Sequence, residues 1–117
     1  MKPFRFGVIN ESFGSPVVLR DRAVQAEALG YDTFLIRDHL APDYFGTQYA
    51  PLVSLGWLAA QTTTLRLGTL VIDNDFRHPA ILAKEVASLD QLSGGRFELG
   101  LGAGWLRWCW MRHLSVQ

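Results

Sequence analysis

Two periodicities alternate along the chain. Residues 4–10 form a short, largely apolar run with Phe4, Phe6 and Val8 on one side, the spacing of a strand. Ser15-Pro16 follows, a hydroxyl suited to capping and a proline where the missing N–H is harmless. Leu19, Ala23 and Ala26 then recur at helical spacing, with Asp21, Arg22 and Glu27 on the wet side and Gly30 as the left-handed C-cap. The cycle repeats with a strand at residues 33–36, closing on Arg37-Asp38-His39. After a loop holding Asp43, Tyr44, Phe45, Gly46 and Tyr49, Pro51 opens a second helix reaching about residue 63, with Leu52, Leu55 and Ala59 as its buried stripe. A third strand spans 65–72, apolar on both faces except for Arg66 and Thr69. Pro79 starts a third helix with Ile81, Leu82, Val86 and Leu89 facing inward, and Ser93-Gly94-Gly95 stops it before a fourth strand at 96–102.

Strands alternating with helices through short connections predict an α/β domain with a parallel sheet, because parallel neighbours need helical crossovers. The 117 residues suffice for one small domain with a core. The composition is globular, 49% hydrophobic and 19% charged, and eleven basic residues balance eleven acidic ones. That balance argues against nucleic acid or a membrane surface as partner. A single cysteine, Cys109, excludes an internal disulfide and a cysteine-rich metal cluster, and fits a cytoplasmic protein. Neither a signal peptide nor an apolar run long enough to span a bilayer is present, and no metal-ligand spacing occurs.

In a parallel barrel the chemistry gathers at the C-terminal ends of the strands. Asp38-His39 closes strand two there. A histidine at a rim can serve as acid, base or hydrogen-bond donor, with Asp38 orienting it or touching a substrate. The alternative is a carboxylate capping the loop and a histidine packed on Tyr44 or Tyr49. Asp73, Asn74 and Asp75, after strand three, suit ribityl hydroxyls or a polar ring edge, or else simple turn chemistry. Gly100-Leu101-Gly102-Ala103-Gly104 permits close backbone approach to a ligand or a tight turn. It is not a dinucleotide fingerprint, and the first turn, Glu11-Ser12-Phe13-Gly14-Ser15, lacks one as well, which weakens a doubly wound nucleotide-binding alternative. His78 sits beside a helix start as a structural residue.

Seven segments stand in a recognisable order: Phe4-Arg5-Phe6-Gly7-Val8; Ala26-Glu27-Ala28-Leu29-Gly30-Tyr31-Asp32; Asp38-His39-Leu40; Leu67-Gly68-Thr69-Leu70-Val71; Arg77-His78-Pro79; Leu89-Asp90-Gln91-Leu92-Ser93-Gly94-Gly95-Arg96; and Leu99-Gly100-Leu101-Gly102-Ala103-Gly104-Trp105. Together they resemble the bacterial luciferase-like monooxygenase superfamily, in particular its deazaflavin-dependent oxidoreductases. The resemblance implies a TIM (β/α)8 barrel, of which this chain carries the N-terminal half, about four βα units over residues 1–107. It implies coenzyme F420, or alternatively FMN, at the C-terminal rim, with a small-molecule substrate and homodimers in the full-length family. His39 then matches the histidine beside the reactive ring carbon, and Asp38 a neighbouring cofactor- or substrate-side position. Leu70-Val71 matches a backbone bulge with a non-proline cis bond that presses on the deazaflavin. Asp73, Asn74 and the Gly102-Ala103-Gly104 turn match cofactor contacts.

The implied activity is hydride transfer with F420. The alternatives are an FMN-dependent monooxygenase acting on paired donors with incorporation of molecular oxygen, and a non-catalytic fragment or interaction module. Family barrels run to roughly 250 residues, so the expected chain is truncated and, alone, marginal or partner-dependent. Residues 108–117 read as an aberrant tail. Trp105, Trp108, Trp110 and Cys109 crowd together as a frameshift or an assembly break would place them, or as a short amphipathic terminal helix would use them.

Overall fold

The computed structural model describes residues 4–40, 46 and 48–103; the expected tail, Gly104, and Asp43, Tyr44 and Phe45 lie outside them. The order is β1 (Gly7–Asn10), α1 (Pro16–Ala28), β2 (Thr33–Ile36), α2 (Pro51–Ala59), β3 (Arg66–Thr69), β4 (Ile72–Asp73), a 3-10 turn (Asn74–Phe76), α3 (Pro79–Leu92), β5 (Phe97–Glu98) and β6 (Leu101–Gly102). β1, β2, β3 and β5 form one parallel sheet in that order, and β4 pairs with β6 in parallel as a second, two-stranded piece.

Register explains the core. Val8, Phe34, Leu67 and Phe97 stand side by side across the sheet. With Ile36 they present one apolar face, and Leu19, Ala23 and Ala26 of α1, Leu55 and Leu58 of α2 and Leu89 of α3 cover it. Burying a side chain of the size of Phe34 or Leu55 stabilises by about 1.5–3 kcal/mol each. The opposite face carries Ile9, Leu35 and Gly68 together with an ion cluster, in which Glu98 pairs with Arg66 and, at 2.9 Å, with Arg5. Desolvation raises the Glu98 carboxyl, but the two guanidinium groups together outweigh it and hold it below its ordinary value.

The helix starts follow their sequence signals. The Ser15 hydroxyl accepts from the Val18 amide at 3.3 Å, and His78 caps α3 by accepting the Ala80 amide on Nδ1 at 3.2 Å. Gly30 takes φ +81°, the left-handed end of α1. Five expectations need correction. β1 begins at Gly7, α2 ends at Ala59 rather than near residue 63, and Ile81 lies on the outer side of α3, 57% exposed. The expected third strand is two strands, because the ladder breaks at Leu70 and Val71, whose peptide bond is cis. The expected fourth strand is likewise divided, into β5 and β6.

The break is stitched on both sides. The Leu70 amide still donates to Ile36 at 2.8 Å, and the Ile72 amide donates to the Gly100 carbonyl at 2.8 Å. The Thr69 hydroxyl accepts the Gly100 amide at 3.0 Å and donates to the Gly100 carbonyl at 2.9 Å. The two glycines opposite the bulge are there for room. A Cβ on Gly100 would overlap the Thr69 carbonyl oxygen, and one on Gly102 would overlap a Val71 methyl. Gly100→Ala is therefore expected to lower stability by about 1–3 kcal/mol, since a backbone atom cannot rotate away. Gly102→Ala, meeting a side chain, should cost less. Urea unfolding midpoints of the two variants check the order.

Candidate functional site at the strand ends

Asn10, Ile36 and Thr69 are in register, so the chain leaves the sheet at one level, at Glu11, Arg37 and Leu70. This is the C-terminal rim, and the candidate residues gather on it.

From β2, Arg37 pairs with the Glu11 carboxylate. Asp38 is turned inward, its side chain only 3% exposed. Its Oδ2 accepts the Asp73 amide at 2.9 Å and the Arg77 guanidinium at 2.5 Å. His39 is half-buried. Its backbone N–H donates to Gln48 Oε1 at 3.1 Å, while the Gln48 amide donates to the Glu11 carbonyl at 3.0 Å. Gln48 thus ties the β2 exit to the β1 exit. Beside it, Tyr49 stacks at a tilt on Phe13, with centroids 5.7 Å apart, and donates its hydroxyl to the Gly14 carbonyl at 3.2 Å. Tyr49 is therefore engaged with the first loop.

From β3 and β4, Leu70 and Val71 project as an apolar shelf, 41% and 38% exposed. Exposed aliphatic side chains on an otherwise packed rim suit the face of a flat, apolar ring. Asp73 ends β4, and its Oδ1 accepts the Asp75 amide at 3.0 Å, capping the 3-10 turn in which Asn74 is half-buried. From β6, Gly102 lies against Val71, Leu101 is exposed and Ala103 follows, also exposed; Gly104 is outside the described residues.

The structure thus brings the Asp38-His39 pair, the Leu70-Val71 shelf, Asp73-Asn74 and Gly102-Ala103 to one rim. Sequence reasoning missed two residues that assemble it. Arg77 bonds both to Asp38 and, at 2.7 Å, to the Asp73 carbonyl, and Gln48 holds His39. Neither lies within reach of a local spacing pattern; Arg77 is 39 positions from Asp38. A separate groove of about 470 Å³ runs along β1 and α1, and none of His39, Leu70, Val71 or Asp73 lines it. Among the described residues there is no group of three or more His, Cys, Asp or Glu placed to hold a metal ion, and no helix long and apolar enough to cross a membrane.

Comparison with known proteins agrees with this architecture. The family model for luciferase-like monooxygenase matches residues 3–107. An F420-dependent glucose-6-phosphate dehydrogenase from Kineococcus radiotolerans is 43% identical over 93 residues, covering 77% of this chain and 28% of that protein. The chain therefore spans under a third of that relative's length. Among solved structures, the oxygenating constituent of 3,6-diketocamphane monooxygenase from Pseudomonas putida, in complex with FMN, superposes with a TM-score of 0.82 at 26% identity over 93% of this chain and 32% of that one. The coenzyme F420-dependent tetrahydromethanopterin reductase from Methanopyrus kandleri gives 0.73 at 27% identity, over 94% of this chain and 29% of that one. The parallel sheet described above is thus part of an α/β barrel of this kind, and the chain belongs to the luciferase-like monooxygenase family.

Proposed function

We propose that this chain supplies one side of the cofactor site of an F420-dependent oxidoreductase that transfers a hydride to or from a small-molecule substrate. The observation that carries the proposal is the joining of His39 and the exposed Leu70-Val71 shelf on one rim. The donor set fits a deazaflavin. Leu70 and Val71 offer an apolar face to the ring, and Gly102, having no side chain, leaves Val71 the room to hold that position. Asp73, Asn74 and Ala103, on the same rim, would meet polar ring edges and a ribityl chain. When bound, F420 supplies a ring carbon that gives or takes a hydride. His39 would hold or donate a proton at its imidazole, and Asp38 keeps the β2 exit fixed through Asp73 and Arg77.

A second reading, an FMN-dependent monooxygenase using molecular oxygen, is favoured by the FMN-bound Pseudomonas putida neighbour, since the same shelf would accept an isoalloxazine. Titrating the protein separately with F420 and FMN, and following cofactor fluorescence, separates the two. Saturable binding of F420 with weaker or no binding of FMN is expected. The reverse order would replace the first reading with the second. Binding of neither would leave a non-catalytic interaction module as the surviving account.

A further inference from the structure

We infer that Arg77 is a positioning residue for the rim site, fixing where the Leu70-Val71 shelf lies relative to His39. The inference deepens the F420 reading above and rests on it for its ligand. One atom, Arg77 Nη1, makes two bonds, to Asp38 Oδ2 at 2.5 Å and to the Asp73 carbonyl at 2.7 Å. The Asp73 amide donates to the same Oδ2 at 2.9 Å. Asp73 is therefore held at both its N–H and its C=O by a single ion pair.

The chain positions of these groups give the arrangement its meaning. Asp38 directly precedes His39. Asp73 lies two residues beyond Val71. Arg77 lies two residues before Pro79, the first residue of α3. The guanidinium thus links a rigid helix start to both halves of the site at once. The other anchors of the shelf, Leu70 N–H to Ile36 and Ile72 N–H to Gly100, run sideways along the sheet. Asp38 and Arg77 join the segment after the shelf to the strand end that carries His39.

The chemistry requires arginine. A guanidinium presents several donors in a rigid plane, whereas an ammonium is a compact point charge on a flexible stem. Asp38 is nearly fully buried, and removing its counter-charge would leave a carboxylate with one backbone donor, an arrangement that rearranges rather than persists.

The test compares Arg77→Met and Arg77→Lys with the parent chain in two measurements. The first is F420 affinity by fluorescence titration. Arg77→Met is expected to weaken binding by roughly 10- to 100-fold, the scale of a misplacement near 1 Å, and Arg77→Lys to recover only part of it. The second uses the free protein, following amide hydrogen exchange at residues 70–73 and the His39 imidazole resonances by NMR. Exchange is expected to quicken locally and the His39 signals to move, while the rest of the sheet stays protected. A lowered unfolding midpoint with unchanged affinity, unchanged exchange at 70–73 and unmoved His39 signals would overturn the inference and make the pair a stability clamp. If the parent binds no F420, the cofactor reading fails by itself. The exchange and NMR arm then decides the positioning claim alone, in its favour if residues 70–73 and His39 respond together and against it if they do not.

Discussion

Turnover by an active, F420-loaded form of this protein is expected to fall roughly 10²- to 10⁴-fold when His39 is replaced by alanine, the usual range for loss of a general acid or base. Cofactor affinity and the unfolding midpoint should change little. The reason lies in how the residue is held. The backbone N–H of His39 is fixed by Gln48, and that bond survives truncation of the side chain. The neighbouring ion pair is made by Asp38 and Arg77, whose atoms all remain in the variant. Truncating a half-buried ring removes little apolar contact from a core built on the other face of the sheet. Steady-state kinetics separates the possible roles. A fall in kcat and kcat/KM by the same factor marks an interaction made in the transition state, whereas a rise in KM with kcat unchanged marks plain binding. Unchanged turnover would take His39 out of the chemistry and leave the shelf as a binding surface alone.

How far the sequence reaches can be judged residue by residue. Helix starts were legible because their signals are local: Ser15-Pro16 and His78-Pro79 place cap and first turn within two positions, and both caps form. The buried face of α1 was legible for the same reason, since Leu19, Ala23 and Ala26 repeat at helical spacing and all three are buried. Ile81 shows the limit of that signal. It adjoins Leu82 in sequence, yet one step along a helix turns a side chain by about 100°, and of the two only Leu82 is buried.

The division of the third strand into β3 and β4 is invisible to side-chain pattern, which reports alternation and apolarity but not where a ladder is interrupted. Residues 65–72 are apolar apart from Arg66 and Thr69, and only the matching segment in a known family pointed to a bulge at Leu70 and Val71. The glycines at 100 and 102 were visible as glycines but open in meaning, between a turn and a ligand contact. The structure adds a third demand, room for Thr69 and Val71 across the sheet. Asp38 was visible as a rim carboxylate, and its partner was not. The Asp38–Arg77 bond spans two strands and a helix start, and nothing short of the fold brings those residues together.

Glu27 carries the largest stability effect we expect. By spacing it is a wet-side residue of α1, and the structure gives it another task. Its Oε1 accepts the amides of Thr63, Thr64 and Leu65 at 2.8, 2.6 and 2.9 Å and the Thr64 hydroxyl at 3.0 Å. These amides belong to the connection from α2 to β3, where no ladder or helix partner is available to them. One carboxylate therefore fastens the last turns of α1 to that connection. Desolvation raises the Glu27 carboxyl, but the bonds from Thr64, Leu65 and Thr63 together outweigh it and lower it from the ordinary 4.5 to about 2. A carboxyl depressed on folding stabilises fully above its unfolded value and loses that contribution as pH falls through its folded value. The Glu27 contribution should thus be complete above about pH 4.5 and vanish as pH falls towards 2. Glu27→Gln, which keeps an acceptor oxygen but no charge, is expected to destabilise by about 1.5–3 kcal/mol at pH 7. Water reaching the Thr63 and Thr64 amides argues for the lower end. Urea midpoints of parent and variant, measured between pH 7 and pH 2, should converge as acid is added. A gap that stays constant across that interval would mean that Glu27 acts by shape and not by charge, and that the three amides find their stabilisation elsewhere.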